Sequence, residues 1–303
     1  MDPSAAPQAM SRLEYPALLV ATEAASAATQ RAFFGSRASE FIALALAASL
    51  GPIPNADLAG AGPDAALIMF VLALVIRVSG VGDRAERRWY DARAASESIK
   101  SASWQFAVGG EAFGLSDETA SVRFLQAQQD VLKALPNLDV PVDAASTAIT
   151  PQMIALRQAP LAERTRQYGV QRVEDQRRWY AAKARLNGRR ARQWRSLLVA
   201  VEAGACLLGL FRALGSFDVD WLGLLGTAAA GIAAWKQTRN YGFLSESYSV
   251  TSHEVTLLAA ALPAGEDEDV WAQAVHDAEA AFSREHTLWL ARRQGPATES
   301  SPT

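Results

Sequence analysis

The chain has 303 residues, half of them apolar, with 29 Lys and Arg against 32 Asp and Glu and a formal charge of −3. That balance removes any global argument for a nucleic-acid binder, and no nucleic-acid partner is expected. One cysteine, Cys206, excludes intrachain disulfides and multi-cysteine metal or redox motifs, and three histidines (His253, His276, His286) leave little for a zinc site or a catalytic triad.

Residues 1–12 lack a basic segment followed by an apolar run, so they read as a disordered N-terminus with no cleaved signal peptide. Beyond them alanine dominates, Val, Ile and Thr are sparse, and no alternating stretch stands between turn signals. The fold class is therefore all-α. Pro16 suits the first turn of a helix that meets no further proline before Leu50, polar at first and apolar over Phe41–Leu50. The Pro- and Gly-rich segment 51–64 breaks it, and Ala65–Ile76 is apolar again. This is a helical hairpin, with spans expected at about 38–53 and 65–81 inside a first unit, 13–115.

Short amphipathic helices follow, broken at Pro136, Pro141, Pro151 and Pro160, as a connector over 116–170. A second unit, 171–293, holds a second hairpin: Leu197–Phe211 and Trp221–Trp235 are apolar apart from Glu202 and Thr227, with spans at about 196–212 and 219–236. After the hairpins, 87–98 and 236–247 share Ser-Glu-Ser in line, which suggests duplication. The segment 266–293 starts acidic and ends basic, complementing a helix dipole. Its Trp271, Val275, Ala278, Phe282 and Trp289 form one apolar seam that needs a partner. Residues 294–303 read as a disordered tail.

Each apolar run holds roughly 10 to 15 residues before a charge, short of the roughly 20 that cross a bilayer, so length alone leaves open a soluble bundle with buried hairpins. Charge placement decides for the membrane. Arg31 and Arg37 precede the first hairpin and Arg84, Arg87, Arg88 and Arg93 follow it, while its connector carries Asp57 and Asp64 and no Lys or Arg. Five arginines from Arg185 to Arg195 precede the second hairpin and Lys236 and Arg239 follow it, while its tip carries only Asp218 and Asp220. Basic residues stay on the cytoplasmic side of a bilayer, which gives four spans in the cell's inner membrane with both termini cytoplasmic and both tips outside. Trp194, Trp221 and Trp235 fall near the expected interfaces.

Within the spans, Glu202 reads either as a pore-facing or helix-pairing group or as a carboxylate solvated near the cytoplasmic interface. Arg77 and Arg212 have stems long enough to snorkel. Gly204, Gly209, Gly223, Gly226 and Gly231 would let helices approach closely, within the chain or between copies. Nine basic residues stand between Arg172 and Arg195 against Glu174 and Asp175. They read as a lipid-attracted collar, an RNA-binding surface or a solvated helix; proximity to the third span favours a collar of Arg177, Arg178, Lys183, Arg185, Arg189, Arg190, Arg192 and Arg195.

No catalytic constellation is found, and neither an enzyme activity, a cofactor nor a metal is expected. GAGP at 60–63 lacks the rest of a phosphate loop, and His253-Glu254 lacks a second histidine because Leu257 occupies that position. Cys206 lies in an apolar run and reads as a buried thiol.

The stretches DRAERRWYDARAASESIKSASWQFAVGGEAFG (83–114), ITPQMIALRQAPLAERTRQYGVQRVEDQRRWYAAKA (149–184), YGFLSESYSVTSHEV (241–255) and FSREHTLWLARR (282–293) resemble the SLATT family. These are two-transmembrane effectors associated with SMODS nucleotidyltransferases and SLOG sensors. The resemblance covers most of Leu13–Arg293 as two units in tandem. It implies an effector of bacterial antiviral defence that perforates or depolarises its own cell's membrane. One copy has too few spans with polar faces to line a wide channel, so a homo-oligomer, gated through its cytoplasmic helices, is expected. A sensor or nucleotide-signalling partner encoded separately would trigger it. No functional residue accompanies the family, so none is transferred. The alternative is a non-conducting, membrane-anchored scaffold that recruits a separate effector or sensor through 266–293.

Overall fold

The computed structural model describes residues 12–50, 61–114, 116–135, 138, 140, 147–215, 221–263 and 267–294, with side chains at all of these except 61, 221 and 284–294. The terminal segments 1–11 and 295–303, Pro136, Pro141 and most of both hairpin tips, including Asp57, Asp218 and Asp220, lie outside the described residues.

The described elements are helices: α1 (Ala17–Leu50), α2 (Ala61–Val78), α3 (Val81–Val108), α4 (Asp117–Ala134), α5 (Pro151–Arg157), α6 (Leu161–Tyr168), α7 (Asp175–Ala213), α8 (Trp221–Arg239), α9 (Tyr241–Ala261) and α10 (Glu268–Gln294). Pro16 stands immediately before α1 and its carbonyl accepts from the Leu19 amide at 2.9 Å. Pro151 opens α5 rather than interrupting a helix, with Thr150 Oγ1 accepting from the Met153 amide at 3.3 Å as N-cap. A π-helical turn, Gly169–Glu174, carries α6 into α7.

Two triplets, α1–α2–α3 and α7–α8–α9, each begin with their longest helix and follow it with their shortest, and they share one joining device. The chain leaves α2 through Gly80 at φ 61° and leaves α8 through Asn240 at φ 46°. Glycine and asparagine are the residues that tolerate this left-handed conformation most readily, so a single residue can redirect the chain into the next helix.

The residues group into two compact units. One comprises the chain through Ser26, Tyr90–Ala182 and the chain from Ser247; the other comprises Ala27–Trp89 and Lys183–Glu246. Each triplet contributes to both.

In the first unit Leu18, Leu19, Ala95 and Ile99 form a buried cluster with Tyr15, Val131, Leu135 and Leu138 packed against it. The C-terminus of α3 is finished with unusual care. Gly110 N donates to Gln105 O at 2.7 Å across Gly109 at φ 75°, the geometry of a left-handed helix stop. Arg157 donates to Phe106 O and Phe113 O at 2.9 and 2.8 Å, and Val108 O accepts from both Arg164 Nη1 and Trp271 Nε1, at 2.9 and 2.8 Å. Carbonyls at a helix end have no partner within the helix, and these cations also meet the negative end of its dipole.

The second unit has the reverse of a water-soluble pattern. On α1 of this unit Phe33 and Glu40 are buried near the start and Ala43 and Ala47 along the apolar part, while Ile42 and Leu46 are exposed; on α2 Ala66 and Ala73 are buried, while Leu67, Phe70, Val71, Leu74 and Val78 are exposed. On α7, Leu197, Val199, Leu207, Leu210 and Phe211 are exposed. Small residues packed inward with large apolar ones outward is how helices assemble in lipid, where exposing leucine costs nothing. Three continuous helical runs are long and apolar enough to cross a membrane: Ala17–Leu50, Gly62–Val108 and Leu161–Ala213. The most apolar stretches of the first two are only 22% and 17% buried, and that of the third not at all. The shorter α8 is not among these three, being built largely of Ala and Gly and ending on Lys236 and Arg239.

Candidate functional site

The site that sequence pattern singles out is the pair of hairpins with their charged margins. At the base of the first hairpin, Glu40 is buried on α1, and Arg77 at the end of α2 donates to its Oε1 from Nε at 2.8 Å and from Nη2 at 2.5 Å. Arg37, one turn before Glu40, reaches Oε2 at 3.4 Å and Asp83 on α3 at 2.8 Å. Arg77 thus has a specific partner besides the solvent-directed stem expected of it. Glu40 escaped sequence reasoning because it sits on the border between the polar and apolar parts of α1. The Arg37/Glu40 spacing was the available signal, but the partnership with Arg77 requires the hairpin to close.

Aromatic residues gather in the same unit. The Phe33 and Phe34 rings lie 6.0 and 5.6 Å from Trp89, and Phe34, Phe41 and Trp194 lie 6.3, 6.4 and 6.4 Å from Trp235. The Arg239 guanidinium stacks 3.7 Å from the Phe34 ring and 4.9 Å from Trp235.

On the second hairpin Glu202 is exposed on α7, and Arg212 is exposed in its last turn. Gly209 meets the Leu222 side chain, which an added Cβ would approach to 3.2 Å; Cβ atoms built on Gly204, Gly226 and Gly231 would meet nothing within 4 Å. Gly223 O accepts from Thr227 Oγ1 at 2.9 Å. Cys206, read from the sequence as a buried thiol, is exposed. The correction has a simple cause: an apolar neighbourhood means burial only if the helix faces protein.

The basic residues of α7 divide between the units. Arg177 and Arg178 belong to the first, where Glu174 accepts from them at 2.6 and 2.7 Å. The hydrogen bonds from Arg177, reinforced by Arg178, hold the Glu174 carboxyl down at about 2. Lys183, Arg185, Arg189, Arg190, Arg192 and Arg195 belong to the second; all but the half-buried Lys183 are exposed, and Arg190 lies over the Tyr241 ring at 5.7 Å.

The seam of α10 lies in the first unit. Trp271, Val275, Ala278 and Phe282 are buried, and the Trp271 ring stands edge-on to Tyr168 at 5.7 Å. The Trp289 side chain lies outside the described residues. Beside this seam is a buried cluster the sequence reading missed. Arg172 donates to both oxygens of Glu279 at 2.8 and 2.6 Å, Tyr168 Oη donates to Glu279 at 3.0 Å, and the Arg172 guanidinium lies 5.0 Å from the Phe282 ring. Burial works against the Arg172 charge, but the Glu279 carboxylate more than reverses this and raises its pKa. Burial pushes the Tyr168 phenol well above its ordinary value, and the Glu279 charge adds to the rise. In the sequence Arg172 is one of nine basic residues and Glu279 one acid on a helix rich in them, so neither stands out.

Helices with large apolar side chains outward, small ones inward and cations at their ends define an all-α membrane protein. Residues 16–165 match the SMODS and SLOG-associating 2TM effector domain 3, and residues 168–289 match the SMODS and SLOG-associating 2TM effector domain 1. The chain belongs to the SLATT family as two such domains in tandem, a membrane effector of conflict systems. No curated protein and no solved structure matches it.

Proposed function

We propose that the chain is a four-span inner-membrane protein that oligomerises into a pore-forming or depolarising effector of antiviral defence, with both termini and the large region between the hairpins in the cytoplasm. It acts on the membrane directly and catalyses no reaction. The observation that carries this reading is the outward apolar face of α2 and α7 in a chain with two matched effector domains. One copy has too few polar span faces to surround a water path, so a conducting state needs several copies. The bare glycine faces at Gly204, Gly226 and Gly231 are suited to that contact. Gating follows from covalent continuity: α1, α3, α7 and α9 each give residues to both units, so a signal that favours one arrangement of the first unit biases the spans. The signal is supplied by a sensor or nucleotide-signalling partner.

Potential-sensitive dye and dye-loaded liposomes containing the full chain test the reading. Depolarisation or release, together with retention of the chain in carbonate-washed membranes, is the expected result. Retention without any release, whatever nucleotide or partner is added, would leave a non-conducting anchored scaffold. Recovery in the carbonate supernatant would remove the membrane reading altogether.

A further inference from the structure

An open cleft of about 370 Å³ lies in the second unit against α1 and α8, lined by Gln30, Arg31, Phe34, Gly35, Trp235 and Arg239 together with Ala38. Among the described residues its lining holds two arginines and no carboxylate. Arg239 is held over the Phe34 and Trp235 rings, and among the described residues its buried Nε has no acceptor. Burial lowers its pKa, Tyr241 counters this, and Arg190 lowers it further; no carboxylate is among the groups acting on it. Arg31 is steered by its Nε donating to Ala27 O at 3.1 Å. Gly35 keeps the floor of the cleft low, since a Cβ there would meet nothing within 4 Å. Its lack of a side chain therefore serves no packing within the described chain.

A cation lying over aromatic rings, with no carboxylate among its described neighbours, is poised for an anion. Two planar guanidinium forks match the several oxygens and multiple charge of a phosphate better than a single carboxylate. We propose that this cleft binds a phosphate ester, with the phosphate between Arg31 and Arg239 and the organic part against Phe34 and Trp235. The volume is of the size that takes a small organic ligand. Placement of the cleft at the cytoplasmic headgroup level rests on the four-span reading; its chemistry does not. The ester has two sources, a phospholipid headgroup or a soluble nucleotide.

The test uses the full chain in neutral detergent, titrated with a fluorescent short-chain phosphatidic acid and separately with adenosine monophosphate. Saturable binding of the lipid alone assigns a headgroup site, and binding of the nucleotide assigns a soluble ester; either supports the proposal. Arg31→Gln and Arg239→Gln are each expected to weaken binding at least about tenfold. Gly35→Leu, which fills the cleft and leaves every charge in place, is expected to abolish it. Arg166→Gln, on the first unit, should change nothing. Arg31→Gln and Gly35→Leu alter exposed positions, so their folding is secure even if Arg239→Gln fails to fold. Absence of binding by both ligands, or wild-type affinity in Arg31→Gln and Gly35→Leu, overturns the proposal. Binding in detergent is read without conductance, so its failure and failure of the pore reading are separable.

Discussion

Glu40 Oε1 accepts from both Nε and Nη2 of Arg77 although 37 residues separate the two, and the carboxylate is only 2% exposed. A buried carboxylate that loses its principal cation is left with an uncompensated charge. Arg77→Gln is expected to lower stability in detergent by about 1–3 kcal/mol, less than for a fully isolated pair because Arg37 still reaches the second oxygen. Glu40→Gln/Arg77→Gln together should cost less than the sum of the single changes. Thermal unfolding followed by circular dichroism checks this, and additive losses would mean that the pair is not coupled.

Trp271 fills the first unit's core and donates to Val108 O. Trp271→Ala removes both contributions and is expected to cost about 3–5 kcal/mol. Trp271→Phe keeps most of the ring volume and gives up the hydrogen bond, while Arg164 still serves the same carbonyl, so a loss of about 1 kcal/mol is expected. Denaturant midpoints of the two variants should differ clearly.

Gly109 ends α3 at φ 75°, and a Cβ there would come within 2.6 Å of Arg164 Nη1. Gly109→Ala meets both a strained backbone and a displaced guanidinium, for an expected loss of about 1–3 kcal/mol. Proteolysis should then open the segment around α3 and α4 before the rest of the chain.

Gly204 and Gly231 have open space where a side chain would go, whereas a Cβ at Gly209 would press on Leu222 at 3.2 Å. If copies of the chain pack through the open glycines, Gly204→Leu or Gly231→Leu leaves the protomer folded and lowers the oligomer mass seen by light scattering. Gly209→Leu should instead destabilise the protomer. An unchanged mass in the first two variants would rule out these faces as the contact between copies.

Tyr168 is protonated in the folded state to higher pH than in the unfolded chain, where a tyrosine titrates near about 10. Above that pH the folded state holds more protons, so stability is fully present below about 10 and falls as pH rises toward the folded value. Tyr168→Phe should flatten this alkaline loss. Phenolate absorbance recorded alongside circular dichroism should show this tyrosine ionising only as the structure melts.

Much of this molecule is legible from residue order. The helix from Pro16 to Leu50, the two hairpins and the all-α class follow from proline positions, apolar runs and the lack of alternation, because these are local properties that each segment carries alone. The tandem SLATT assignment rests on stretches of sequence as well. Which way the apolar residues face is not local: Cys206 and Ala73 sit in similarly apolar runs, one exposed and one buried, and only the packing of neighbouring helices distinguishes them. The same holds for Glu40 with Arg77, Arg172 with Glu279, and the cleft that brings Arg31 of α1 to Arg239 of α8. Charges distant along the chain become partners only when helices close on one another, and burial, which gives such pairs their strength, is a property of the assembled fold.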